Sequence, residues 1–432
     1  MTDQTPAEPE KTSYVKFAIP IIIAVLLVAG VGYLTSKKGG VDKALVEGQL
    51  QNWIAQVEEQ YPETELDYGA LEMAGGATDR HAIIKDIRIA YDMPDKDGEP
   101  MDVEILLPEV KVEPKNVSFS EYAVTFLQPV RITEDDETTT LSVEPALKAD
   151  VSVRSAERGE RVSYKAPLSG AWRIENSDEP NAVLMTVAEG AQISGEYGTQ
   201  SRLDGAVSLS VSGLSAVSED EPDETMTLGS LQLDSVWQPL LEGQGAATLS
   251  LSLQELFTDE ENMPYGPLNI ALEGEYSGPM PEDERAIDWT NEKALVDISN
   301  LSIEAADVAL NAKLNFQTGR GELLPIGEGQ LDVRNFAYVL KELRAREALG
   351  DAEAKLLDVL AKQITGTKLD AITDLSIPLK RVDGGSLQVG KSSFEELFAI
   401  VLMGGQIMPQ AAPAQPAQEL IDESEVEALF DE

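Results

Sequence analysis

The chain has 432 residues and carries 77 Asp and Glu against 33 Lys and Arg, a formal net charge of -44. That balance argues against nucleic acid, whose affinity comes from Lys and Arg neutralising phosphates, and against a body lying flat on anionic lipid. No cysteine is present, which removes disulfides, thiolate metal sites and Cys nucleophiles, while a hydrophobic content of 42% supplies ample material for a core.

Residues 1–16 read as a polar, disordered tail. Phe17 to Leu34 comes next without a charged residue, bracketed by Lys11 and Lys16 on one side and Lys37 and Lys38 on the other. At about 1.5 Å per residue a helix over this run is roughly 27 Å long, close to the thickness of bilayer hydrocarbon. The run exceeds the roughly 7–15 residues of a signal-peptide core, and no A-x-A site follows it. Residues 17–35 are therefore expected to remain as a transmembrane anchor. Flanking basic residues are nearly balanced, so the acidic, cysteine-free body decides the expected orientation, with the N-terminus inside and the body outside. Residues 41–61 place Leu45, Leu50, Trp53, Ile54 and Val57 at helical spacing before Pro62, which predicts a stalk helix packed on the start of the body.

Residues 62–334 alternate with period two. Val103, Ile105 and Leu107 begin the pattern; Val207, Leu209 and Val211 repeat it, as do Leu249, Leu251 and Leu253, and Leu268, Ile270 and Leu272. The longest run puts Val308, Leu310, Leu314 and Phe316 on one face and Asn311, Lys313 and Asn315 on the other. Successive strand side chains point to opposite faces, so the pattern means sheet with one apolar and one wetted face. The predicted class is mainly β with some helix (α+β), an extended antiparallel curved sheet or a two-layer sheet. Two strand phrases echo one another, Ser210-Val-Ser-Gly-Leu-Ser215 and Asp297-Ile-Ser-Asn-Leu-Ser302. They show a shared strand grammar and no solenoid period.

Residues 335–366 turn helical, as a hairpin with Phe336, Leu340 and Leu343 lining one helix and Leu357, Leu360 and Ile364 the other. Glu342/Arg346, Asp351/Lys355 and Asp358/Lys362 are spaced as ion pairs with the acid first. Residues 367–405 supply closing strands and a last helix that opens with Ser393-x-x-Glu396, a capping box. Apolar residues cover most of that helix, so it is expected to be buried. Residues 406–432 read as a flexible, acidic tail.

Candidate chemistry is sparse. Gly385-Ser-Leu-Gln-Val-Gly390-Lys391-Ser392 matches the phosphate-loop pattern, but its spacer alternates as a strand does and too little chain follows for the acid that holds Mg²⁺. Asp95-Lys-Asp97-Gly98 resembles the start of a calcium loop, yet Leu106 stands where the closing Glu belongs. The acidic run Glu219 to Glu224 reads as a solvated loop. His81 is the only histidine and lacks both a second metal ligand and a nucleophile elbow. No catalytic, cofactor-binding or metal residue is assigned, and neither nucleotide nor nucleic acid is an expected partner.

Three places together carry a resemblance: Gln49-Leu-Gln-Asn-Trp-Ile54 with the Tyr68-Gly-Ala-Leu-Glu strand, Gly329-Gln-Leu-Asp-Val-Arg-Asn-Phe336, and Ile377-Pro-Leu-Lys with Asp383-Gly-Gly-Ser-Leu-Gln-Val389. This layout resembles the membrane-anchored, β-rich, AsmA-like proteins of the Gram-negative cell envelope. The resemblance implies an inner-membrane, single-pass protein with its bulk in the periplasm, a role around envelope lipids or outer-membrane assembly, and no enzyme activity. The expected site is the apolar face bearing Val308, Leu310, Leu314 and Phe316, either as closed core or as an open lipid groove. A scaffold for protein partners and a periplasmic hydrolase are the alternatives.

Overall fold

A computed structural model describes residues 43–402 apart from the connections 61–63, 76–80, 95–99, 117–119, 135–136, 157–158, 178–181, 199–203, 220–224, 241–242, 259–265, 280–292, 319–324, 346–349 and 383–384. The expected tails, the 17–35 anchor, the Asp95–Asp97 turn and most of the 219–224 run lie outside the described residues. Among the described residues, no helix is long and apolar enough to cross a membrane.

The stalk helix α1 (Lys43–Gln60) packs on β1 (Thr64–Ala74) through Leu50, which is buried, and Ile54. From there the chain runs up and down through one antiparallel sheet. β2 (His81–Pro94) and β3 (Pro100–Pro114) follow β1. Four two-part strands come next: β4 (Glu121–Phe126) with β5 (Val130–Glu134), β6 (Glu137–Glu144) with β7 (Lys148–Ala156), β8 (Gly159–Pro167) with β9 (Gly170–Asn176), and β10 (Val183–Val187) with β11 (Gln192–Gly198). In each pair the two parts lie end to end, so β3 pairs β4 with one end and β5 with the other, and β12 (Gly205–Ser218) pairs β11 and β10 in the same way. β13 (Thr225–Pro239), β14 (Gln244–Thr258), β15 (Leu268–Pro279), β16 (Leu295–Ala305), β17 (Val308–Gln317), β18 (Ile326–Arg334) and β19 (Leu375–Arg381) then add one after another. Among the described residues this makes fifteen tiers, each paired with its sequence neighbours. At about 4.8 Å per tier the sheet is roughly 67 Å long across its strands.

A seam crosses the first eleven tiers in register. It passes Gly69, Asp86, Pro108, the Gln128–Pro129 and Glu144–Pro145 breaks, Gly170, Ala188–Glu189, Gly213, Gly229 and Glu255, and ends where the Glu255 N–H donates to Asn269 Oδ1 at 2.8 Å. Asp86, Gly170, Gly213 and Glu255 all have positive φ (51°, 142°, 69° and 56°), a conformation uncommon for a side-chain-bearing residue. Asp86 and Gly213 each shift their strand's alternation by one, and Pro108, opposite Asp86, matches that shift on β3. Ile84 and Ile87, Leu107 and Val110, and Val211 and Leu214 therefore lie three apart yet share a face. The sequence echo has its account here, because Ser210–Ser215 spans this shift at Gly213 and Asp297–Ser302 spans a separate bulge between Ile298 and Leu301.

All the described strands belong to one sheet, so among the described residues no second sheet covers the apolar face. Ile84, Ile105, Val110 and Val124 are nonetheless 0% exposed. Among the described residues, helix α1 and the same sheet curling over itself cover them. The predicted class holds as a mainly β protein with one large antiparallel sheet.

After β18 the helices α2 (Phe336–Ala345) and α3 (Asp351–Thr365) form the predicted hairpin, cored by Leu340, Ala361, Leu369 and Ile372. Asp358, expected beside Lys362, accepts the Leu369 N–H at 2.8 Å. The short hairpin β20 (Gln388–Val389) and β21 (Ser392–Ser393) caps β19, and α4 (Phe394–Leu402) ends the described chain. The capping box is present: Ser393 N–H donates to Glu396 Oε2 and Glu396 N–H to Ser393 Oγ, both at 3.2 Å. Helix α4 is less buried than its composition predicts. Leu397 and Ile400 face inward, but Phe394, Phe398, Val401 and Leu402 are exposed, because the sheet ends here and offers only one side to pack on.

Candidate functional site

Cross-strand partners in a sheet share a face, so the register turns the alternation of each strand into rows running across the sheet. One row reads Leu209, Leu233, Leu251, Leu272, Leu301, Ala312, Leu331 and Ile377 from β12 to β19, without a polar residue. In the other direction it continues through Ile193 on β11 to Ala166 on β8. The row above it contains Leu253, Ile270, Ile303 and Leu310; the row below, Leu249, Gly274, Ile298 and Leu314; the next, Trp237, Tyr276, Val296 and Phe316. The opposite face carries Ser210, Gln232, Ser252, Ser302, Asn311 and Asp332. There the Gln330 amide and the Ser376 hydroxyl hold the Asp332 carboxyl below its usual range.

The structure thus brings Leu310, Leu314 and Phe316 onto one face of β17, with Val308 at the strand's start opposite Ala305. All four are half-buried. Leu314 lies over Gly329 and Phe316 over Gly327, where an added Cβ would stand 2.6 and 2.9 Å from them. Large side chains over neighbouring glycines keep this face low and even.

Cover differs sharply along the sheet. On β1 to β11 the apolar face is closed into the main cluster. From β12 onward most of its large side chains are only half-buried, although Val211, Leu228 and Ile377 are buried, and Leu249, Ile303 and Trp237 are 39%, 38% and 37% exposed. The two regions are continuous, since Leu209, Leu214 and Leu231 pack against the second cluster around Leu141, Trp172 and Val187. The result is an apolar trough, sealed at the α1 end and open toward α4. Two hollows lie on the seam. One of about 310 Å³ sits at the β4/β5 and β6/β7 breaks beside Trp172, and a wider one of about 540 Å³ follows Gly213, Gly229 and Glu255. The sequence offered a sign of the seam in its apolar pairs spaced by three, which interrupt the alternation.

The remaining motifs have structural roles. In the phosphate-loop look-alike, Gly390 N–H donates to Pro378 O at 2.8 Å, Lys391 N–H to Ile364 O at 2.9 Å, and Ser392 Oγ to Gln363 O at 3.1 Å. The donors a phosphate would need are already bonded to protein carbonyls. Glu219 is held by Arg173, with Nη1–Oε1 at 2.5 Å and Nη2–Oε2 at 3.1 Å, and this pairing lowers the Glu219 carboxyl below its usual range. His81 is half-buried at the start of β2, opposite Ala74. Among the described residues no three His, Asp or Glu side chains are grouped to hold a metal ion. One buried polar atom among the described residues lacks a hydrogen-bond partner, the Tyr164 hydroxyl, which lies over Gly195. Burial pushes it up to about 12.

Comparison of the chain with protein-family models, with curated proteins and with solved structures finds no match.

Proposed function

We propose that the chain is a non-enzymatic, single-pass protein of the bacterial inner membrane whose periplasmic body shields the acyl chains of envelope lipids in the open part of its trough. The observation that carries this reading is the unbroken apolar row from Leu209 to Ile377, eight tiers or about 34 Å long, whose six leucines are half-buried while Ala312 and Ile377 are buried. A soluble protein rarely exposes so large a contiguous apolar area unless something covers it. The apolar run at 17–35 supports the anchor, and the resemblance in sequence layout to AsmA-like proteins supports the compartment.

The reading is tested by quantifying lipid that co-purifies with the full-length chain and with Leu310→Asp. Lipid around the anchor is common to both proteins, so a trough ligand is the difference between them. Wild-type protein should retain lipid that Leu310→Asp loses; equal amounts in both would leave the scaffold reading, which the exposed apolar side of α4 favours. Reporter fusions after residue 45 and at the C-terminus should both report the periplasm, and two cytoplasmic signals would reverse the orientation.

A further inference from the structure

The smaller seam hollow is separate from the open trough, and its origin lies in the register. β5 and β6 are paired down to Val130 and Leu141, and pairing resumes between Thr125 of β4 and Lys148 of β7. Residues 126–129 therefore face residues 142–147, two more on the second strand. The ladder is interrupted there. The Phe126 N–H reaches Leu147 O at 3.0 Å and the Leu127 N–H turns to Glu109 O at 2.9 Å. The gap left in the wall is lined inside by Phe126, Val130, Ile132, Leu141, Leu147 and Trp172. Val130 touches all three neighbouring core clusters, so the gap opens into the sealed end of the apolar interior.

The lining is mostly apolar. Trp172 Nε1 already donates to Leu168 O at 2.9 Å. The polar side chains, Gln128, Ser142 and Glu144, stand on the strand breaks at the rim, and Glu144 is the one charged residue that lines the hollow. A mostly apolar hollow of this kind suits hydrocarbon better than a polar group. A volume of about 310 Å³ is at the small end of the roughly 300–1,000 Å³ range of ligand pockets, so it fits one chain and not two. A head group left at the rim meets the Glu144 carboxylate on a protein of net charge -44, which disfavours an anionic one.

We propose that the seam hollow at the β4/β5 and β6/β7 breaks is a lateral binding site for one hydrocarbon chain of a single-chain amphiphile with a neutral or zwitterionic head. This rests on the lipid-shielding reading of the trough, and two tryptophans separate the two sites. Trp172 lines the hollow and Trp237 stands in the open trough. In full-length chain held in amphipathic polymer, with Trp53 and Trp289 replaced by Phe, either Trp172 or Trp237 is kept as the sole tryptophan. Each protein is titrated with a phosphocholine-headed single chain brominated along the acyl group, and with a brominated fatty acid.

The phosphocholine probe should quench Trp172 at a concentration at least tenfold below that needed by the fatty acid. Val143→Phe, which fills the hollow, and Gln128→Phe, which blocks the rim from an exposed position, should each raise the half-quenching concentration at Trp172 at least tenfold and leave Trp237 quenching unchanged. Quenching of Trp237 alone would overturn the lateral site and keep the trough. Quenching of neither overturns both. Trp172 quenching untouched by both substitutions, or stronger with the fatty acid, also overturns the proposal.

Discussion

Replacing one apolar residue at each end of the sheet distinguishes a sealed interior from an open one. Ile105 is 0% exposed inside the main cluster, and Leu249 is 39% exposed between Ser235 and Gly274. Either residue loses three carbons on changing to Ala, about 2.4 kcal/mol of transfer free energy at roughly 0.8 kcal/mol per group. At Ile105 the packed surroundings collapse only partly and a cavity adds to the cost, giving about 3–4 kcal/mol. At Leu249 some 60% of the transfer applies and no closed cavity forms, so the cost is about 1.5 kcal/mol. The assay is urea unfolding of full-length protein followed by both circular dichroism and tryptophan fluorescence, with coincidence of the two curves as the test that one free energy describes the transition. Leu249→Asp sharpens the contrast, since a carboxylate at an open surface stays hydrated while one in a closed core does not. If Leu249→Ala costs as much as Ile105→Ala and Leu249→Asp abolishes folding, the C-terminal face is a covered core and the trough reasoning fails.

Other sites give independent checks. Lys391→Ala should change stability by less than about 0.5 kcal/mol and ATP should not shift the unfolding midpoint, whereas Gly390→Ala should be costly in the same melt, because φ is 62° and an added Cβ would stand 2.4 Å from Ile364 O. Ser393→Ala removes one half of the reciprocal cap and should cost about 1 kcal/mol in urea titration. Tyr164→Phe deletes a buried hydroxyl without a partner and should be neutral or stabilising by about 1 kcal/mol at pH 7. The same residue predicts a pH effect. Its hydroxyl ionises near 10 when unfolded and near 12 when folded, so between those values the unfolded chain binds fewer protons. Stability then falls as pH rises, by roughly 3 kcal/mol across the window, and Tyr164→Phe should lack that share of the loss.

Much of this architecture is legible in the residues. Alternation from Val308 to Phe316 gives the strand and its two faces, Ser393 and Glu396 give the cap, and Gly350 separates the two hairpin helices. The order of the tiers is not written in any one strand, because alternation reports which side is apolar and says nothing of which neighbour covers it. The seam hides for a related reason. Its markers, such as Asp86 within Ile83-Ile-Lys-Asp-Ile-Arg and Pro108 between Leu107 and Val110, read as defects in single strands and acquire meaning only when the register lines them up. The last helix misleads through composition: apolar residues around its circumference predict burial, but burial depends on how many surfaces are present, and the sheet's end supplies one.

Because every tier is hydrogen-bonded only to the tiers before and after it in sequence, the ladder of the body is in effect a one-dimensional polymer of hairpins. Its ladder contacts are local, which favours zippering from the sealed end, where Leu50 and the β1–β3 tiers supply a nucleus of low loop-closure cost. Length becomes an adjustable quantity in such a chain. Removing an adjacent pair of strands, such as β16 with β17, restores the direction of the next strand and shortens the body by about 10 Å. Removing a single one reverses everything downstream. Evolution can therefore lengthen or shorten this protein in steps of two strands without redesigning either end, much as repeat proteins change length by whole units.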